Sequence, residues 1–326
     1  MLTSFLPRNS KRSAPAARRR TQTSPRPRAD FRPRLEALED RCLFSTLTVT
    51  SLGDSGAGSL RATISAAANG DTIVFSSSLF SSATEPSSPL VSSSLKVNGS
   101  GKGNGKGRGK PVSPPPPPPT PDTITLTSGP LSLAKNLTIQ GPSTTPLTIT
   151  STAIYASTIF GVAQGTTVTL SGMTISKGFS SSSGGGIFNA GALTLNGCTV
   201  SGCSALYYGG GIHNVGTLSI SNSILSGNSA RFGGAIYNGG VLTIDGSTMS
   251  GNYAFHSDYP WSGGDGGGIY NGTTGTVTVR NSSSITGNAS DWLVGGVGPD
   301  VYNLGTIYLD ETSTIGALYG NPADLI

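Results

Sequence analysis

A six-residue phrase returns five times in the second half of the chain. It reads Gly-Gly-Gly-Ile-Phe-Asn ending at Asn189, Gly-Gly-Gly-Ile-His-Asn at Asn214, Gly-Gly-Ala-Ile-Tyr-Asn at Asn238, Gly-Gly-Gly-Ile-Tyr-Asn at Asn271, and in a worn copy Gly-Pro-Asp-Val-Tyr-Asn at Asn303. The intervals are 25, 24, 33 and 32 residues. A unit this short cannot bury an apolar face by itself, so the copies must stack on one another. Within each unit apolar and polar residues alternate in short bursts, as in Leu218-Ser219-Ile220 and Leu242-Thr243-Ile244. Period two is the signature of a strand with one buried face. Three short strands joined by Gly, Asn and Ser corners account for one coil. A hairpin meander would not return to the same phrase at such spacing. The sequence therefore predicts an all-β fold: a single-stranded right-handed parallel β-helix (a solenoid) in which each coil pairs with those above and below.

Stacking aligns like with like. The expected inward columns are Ile187, Ile212, Ile236, Ile269, Val301; Leu193, Leu218, Leu242, Val277, Ile307; Leu195, Ile220, Ile244, Val279, Leu309; and Val200, Leu225, Met249, Ile285, Ile315. The phrase-ending asparagines fall in register at a corner, where Asn tolerates unusual backbone angles and can hydrogen-bond its equivalent one coil away. A second column, Asn228, Asn252 and Asn288, opens with Cys203. The glycines ahead of each Ile serve the opposite corner, where positive φ is needed. Weaker coils extend toward the N-terminus through Val168, Leu170 and Ile175; Leu147 and Ile149; Leu137 and Ile139; Ile124 and Leu126. One short helix is expected over Ser59–Asn69, N-capped by Ser59 and stopped at Asn69-Gly70, closing the first coil against edge pairing.

The formal charge of +5 hides an asymmetry. Residues 1–45 carry eleven Lys or Arg against four acids, and residues 81–122 carry five against two, which leaves five basic and ten acidic residues in the body. The body has no basic stripe to follow phosphates, so nucleic acid is not an expected partner of the folded part. The expected organisation is a basic disordered leader over 1–45, a β-helix over 46–320 and a tail over 321–326. Residues 81–122, rich in Ser, Gly and Lys and holding six consecutive prolines (114–119), read as a disordered insertion between two early strands. No stretch approaches the length of a membrane span. Three cysteines give no disulfide framework. Cys198 falls where neighbouring coils carry Ser223 and Ser247, so it reads as a buried small residue, although its spacing also permits a Cys198–Cys203 bridge.

Glycoside hydrolysis needs two converging carboxylates, and lyase chemistry needs clustered acids around a cation with a nearby base. No strand position repeats an acid in successive coils, and Arg231 and Arg280 fall on turns of different register. Only Asp258 and Asp265, near His256, can gather on one loop, and they are the alternative catalytic candidates. No metal and no cofactor is expected. The clearer signal is the column Phe188, His213, Tyr237, Tyr270, Tyr302, each following an inward residue and so pointing outward. Stacked at strand spacing these predict a flat aromatic stripe, suited to sugar rings or to a protein partner. Trp261 and Trp292 lie in the two segments that lengthen the third and fourth intervals, and they complete the candidate binding set.

Two resemblances add to this. Gly233-Gly-Ala-Ile236, with Leu225-Ser-Gly-Asn228, Met249-Ser-Gly-Asn252 and Ile285-Thr-Gly-Asn288, resembles the paired Gly-Gly-Ala-Ile and Phe-x-x-Asn repeats of polymorphic outer-membrane proteins, with Leu, Met or Ile in place of Phe. More broadly, residues 46–320 are similar to bacterial right-handed β-helix proteins of the pectin-lyase-like class. Asn-Thr-Asp, Asp-Asp and Gly-His-Gly, the polygalacturonase signatures, are absent. Arg32-Pro-Arg-Leu-Glu-Ala-Leu-Glu-Asp-Arg-Cys-Leu-Phe-Ser45 resembles the Arg-rich leader of planctomycete-type surface and secreted proteins. These resemblances imply export to the surface or medium of a bacterium. The expected function is a non-catalytic surface β-helix, structural or adhesive, contacting glycan or a cell-surface partner through the aromatic stripe. The alternative is a polysaccharide-degrading enzyme of the pectate-lyase or glycosidase kind.

Overall fold

A computed structural model describes residues 44–80, 122–143, 145–152, 158–256, 264–291 and 296–326. They form a parallel β-helix with one ten-stranded, two eight-stranded and one five-stranded sheet. One coil shows the plan. Ile212–Asn214 lies in an eight-stranded sheet, Thr217–Ser221 in the ten-stranded sheet, Ile224–Ser226 in the second eight-stranded sheet and Ser229–Ala230 in the five-stranded sheet. Each strand then pairs in parallel with its equivalent one coil on, at the register the phrase implies: Ile212 with Ile236, Leu218 with Leu242, Leu225 with Met249. Ten strands in one sheet span about 43 Å along the axis at ~4.8 Å per step.

Register decides what is buried. The four expected apolar columns are in register through all five coils, and their members are buried apart from Leu309 and Ile315, half-covered in the last coil. Each buried Leu, Ile or Val contributes about 1.5–3 kcal/mol of burial free energy before entropy is counted. The glycine corners are also as expected. Gly184, Gly209, Gly233, Gly266 and Gly298, each three residues before the inward Ile or Val, have φ between +61° and +69°.

The asparagine column differs in its reason. Asn189, Asn214, Asn238, Asn271 and Asn303 are fully buried at strand ends, and none has positive φ. Their role is hydrogen bonding alone. Each side-chain amide donates to the Oδ1 of the next, at 2.8, 2.7, 2.8 and 2.8 Å, and Asn303 Nδ2 donates to the carbonyl of Asn321. The second ladder runs Asn228, Asn252, Asn288 and ends on Asp300, whose Oδ1 accepts from the backbone and side-chain N–H of Asn288, both at 2.9 Å. An acid suits that last place because it must accept without donating onward. Cys203 heads this ladder, giving its backbone N–H to Asn228 Oδ1. Cys198 heads a serine ladder, donating through its backbone to Ser223 Oγ. Both thiols are free and buried, so the bridge allowed by spacing does not form.

The left-handed corners are not all glycine. Lys177 has φ +56°, where the equivalent corners of later coils carry Gly202, Gly227 and Gly251. A non-glycine residue is strained there by roughly 1 kcal/mol. Lys177→Gly is expected to raise stability by up to that amount, as an increase in the urea midpoint at unchanged m-value.

The N-terminal helix is Leu60–Ala66, shorter than expected. Ser59 Oγ accepts from Ala62 N–H, and the helix stops where Lys135 Nζ reaches the carbonyls of Ser65 and Ala67. Leu60 and Ile64 join Val49 and Ile73 in the core and so close the first coil. Asp54 fastens this cap. It pairs with Arg61 at 2.7 Å and accepts from the backbone N–H groups of Thr127 and Ser128. Although burial opposes ionisation, these hydrogen bonds hold its carboxyl well below the ordinary range. Its folded pKa is depressed, so its stabilisation is complete above the unfolded carboxylate value, about 4, and declines as pH falls below it. Asp54→Asn is expected to flatten the acid limb of the stability profile, read by thermal melts between neutral and acid pH.

At the other end, Leu318–Gly320 and Ala323–Leu325 pair with Val301–Asn303 and Thr306–Leu309. The coil therefore continues past residue 320, where the sequence suggested a tail. The described part of 81–122 is Asp122, which opens the strand Asp122–Leu126; the rest, and residues 1–43, lie outside the described residues.

Candidate ligand-binding face

One eight-stranded sheet carries the aromatic column. Phe188, His213, Tyr237, Tyr270 and Tyr302 pair in register, and Tyr319 adds a sixth ring. Each occupies the middle of a three-residue strand between a buried aliphatic residue and a buried Asn, except in the last coil, so alternation turns it outward. Tyr319 escaped the sequence reading because Leu318-Tyr-Gly lacks the Gly-Gly-Ile phrase.

The rings do not form a flat platform. Tyr237 and Tyr270 stack at 5.2 Å and 8°, Tyr270 and Tyr302 at 5.0 Å and 27°, Tyr302 and Tyr319 at 5.6 Å and 13°. Parallel rings at the coil spacing cover each other's faces and offer edges and hydroxyls to a ligand. At the other end of the column, Phe188, His213 and Tyr237 meet edge to face at 5.2 and 5.1 Å.

A second column, not read from the sequence, lies against the first. Ser183, Tyr208, Phe232 and Asp265 bridge coil to coil at the position just before the Gly-Gly phrase. Tyr208 touches the His213 and Tyr237 rings at 5.8 and 4.8 Å, and Phe232 touches Tyr270 at 5.3 Å. The signal was present, because each residue directly precedes the first glycine of its phrase. It was missed because two aromatics, one serine and one acid share no chemistry.

Burial sets the electrostatics. His213 is walled by Phe188, Tyr208 and Tyr237, and burial pushes its pKa down to about 4, so it is neutral at physiological pH. Its Nδ1 is buried without a hydrogen-bond partner among the described residues. The Tyr270 hydroxyl is pushed up to about 12, chiefly by burial and then by the neighbouring phenols and Asp265. Asp265 itself titrates above the ordinary carboxylate value because it is half-buried, against the lowering effect of the Val297 N–H at 3.1 Å and of Arg231. The Arg231 guanidinium lies 5.0 Å over the Phe232 ring.

Of the alternative catalytic pair, Asp265 stands on this face, while Asp258 lies outside the described residues, as do Trp261 and Trp292. Arg280 is not on a turn: it ends the strand Thr276–Arg280 in the ten-stranded sheet, where its Nε donates to Asp245 at 2.9 Å. Among the described residues no three His, Cys, Asp or Glu side chains gather as metal ligands, and no helix is long and apolar enough to cross a membrane. A separate cleft of about 330 Å³ beside the capping helix is lined by Arg61, Ile64, Leu131, Lys135 and Leu137. Its cations are engaged within the fold, Arg61 by Asp54 and Lys135 by helix carbonyls, so it reads as part of the cap. Comparisons of the chain with models of known families, with curated proteins and with solved structures give no match.

Proposed function

We propose that this is an exported, non-catalytic β-helix, structural or adhesive, that contacts glycan through the edges and hydroxyls of its tyrosine column. The observation that carries the reading is the outward register of Tyr237, Tyr270, Tyr302 and Tyr319, which repeats a phenol hydroxyl in four successive coils. A periodic row of donors and acceptors suits a periodic, hydroxyl-rich polymer. The resemblance to pectin-lyase-like and polymorphic outer-membrane β-helices, and of residues 32–45 to a surface-protein leader, supports export. His213, enclosed by rings and with its pKa pushed down to about 4 by burial, is a weak base.

The test is binding of the full chain to a panel of immobilised polysaccharides, wild type against Tyr270→Phe with Tyr302→Phe. That pair keeps the ring stack and removes two hydroxyls. About thirtyfold weaker binding is expected, at roughly 1 kcal/mol for each of the two lost hydrogen bonds, with Tyr308→Phe on the ten-stranded sheet unchanged. Equal binding by all three proteins would remove the column as the contact surface.

The degradative reading draws on Asp265, whose raised carboxyl pKa is the property of a general acid. Turnover of an acidic polysaccharide by the full chain, lost on Asp258→Ala or Asp265→Ala, would establish that reading instead.

A further inference from the structure

The acid on the aromatic face narrows the kind of glycan. Asp265 takes the place in the second column that Tyr208 and Phe232 hold in the two preceding coils. Its bridge partner Phe232 touches Tyr270, which stacks on Tyr302, so the carboxylate enters the face beside those two phenols. Its charge opposes ionisation of both hydroxyls. A second acid, Asp291, follows the strand Ala289–Ser290 of the five-stranded sheet, and its backbone carbonyl and that of Gly264, the residue before Asp265, both lie within 3 Å of a Cβ placed on Gly296. Among the described residues the cation coupled to Asp265 is Arg231, whose guanidinium lies over Phe232. This corner included, the body outside residues 1–45 and 81–122 holds ten acids against five bases. An acidic body repels polyanionic glycans and attracts polycationic ones.

We propose that the face takes a glycan carrying protonated amines, a partly N-deacetylated hexosamine polymer, with an ammonium group seated at Asp265 beside the hydroxyls of Tyr270 and Tyr302. An ammonium has three N–H donors and no acceptor, matching a carboxylate flanked by phenol oxygens. This rests on the glycan reading above and names its ligand class.

The experiment measures binding of the full chain to partly N-deacetylated chitin and to its fully N-acetylated form, two hexosamine polymers of matched length. The deacetylated polymer is expected to bind at least about tenfold more tightly than the acetylated one, with the preference shrinking as salt is added. Asp265→Asn, with its thermal melt checked against wild type, should bring the two hexosamine polymers within about twofold of each other. If that variant misfolds, Asp291→Asn should reduce the preference in part. Equal binding of the two hexosamine polymers by wild type overturns the amine inference and leaves the glycan reading standing. Binding to none of a broad glycan panel overturns both.

Discussion

Asn238→Ala is expected to destabilise the protein by about 3 kcal/mol, seen as a large drop in the urea midpoint. Asn238 is fully buried and sits at the centre of the first ladder. Its Oδ1 accepts from Asn214 Nδ2 at 2.7 Å, and its Nδ2 donates to Asn271 Oδ1 at 2.8 Å and to the Gly240 carbonyl at 3.1 Å. Truncation leaves the fully buried Asn271 oxygen without that donor and adds a small cavity. The penalty comes from stranding the partners, not from the mean worth of a hydrogen bond. Asn238→Asp should be worse at neutral pH. Its carboxylate would face the Asn271 oxygen instead of an N–H, unlike Asp300, which meets only donors at the ladder's end. Thr243→Ala, on the outer face of the adjoining strand, should change stability by no more than about 0.5 kcal/mol.

The second large effect is expected at Gly234. A Cβ there would lie 2.3 Å from the Gly267 carbonyl oxygen and 2.5 Å from that of Tyr253, both backbone atoms in the next coil or its approach. Neither can rotate away, so Gly234→Ala must push two coils apart and strain the hydrogen bond from Gly234 N–H to the Gly266 carbonyl, 2.9 Å long. Loss of about 3 kcal/mol or more is expected, or failure to accumulate as soluble protein. Gly251 separates steric from conformational demands. It has φ +65° with nothing within 4 Å of an added Cβ, so Gly251→Ala should cost only the roughly 1 kcal/mol of a left-handed non-glycine residue. Similar losses at the two positions, measured by urea denaturation, would show that close coil approach is not what Gly234 provides.

The fold was legible because a solenoid repeats its own environment. Ile212 and Ile236 meet the same neighbours one coil apart, so one phrase reports five positions. The asparagines were legible as a column but not as a buried one. Period-two alternation puts Asn189 and its equivalents on the inner face with Ile187, but a polar amide at a corner reads as solvated unless the next coil supplies its hydrogen-bond partner. The aromatic column was placed correctly by the same alternation. What alternation cannot give is the torsion of a ring about its own side chain, and that torsion turned an expected platform into a stack of edges. The second column stayed hidden because its members differ in kind, and single-residue bridges leave no alternating run to read.

The most direct measurement for the functional account is tyrosine footprinting of the full chain, with and without the tightest-binding polysaccharide of the panel at saturation. Tyr270 and Tyr302 should become protected from modification while Tyr308, on the ten-stranded sheet, reacts at an unchanged rate. Bound glycan that leaves Tyr270 and Tyr302 as reactive as before, or that shields Tyr308 instead, would contradict the assignment of the ligand to this face.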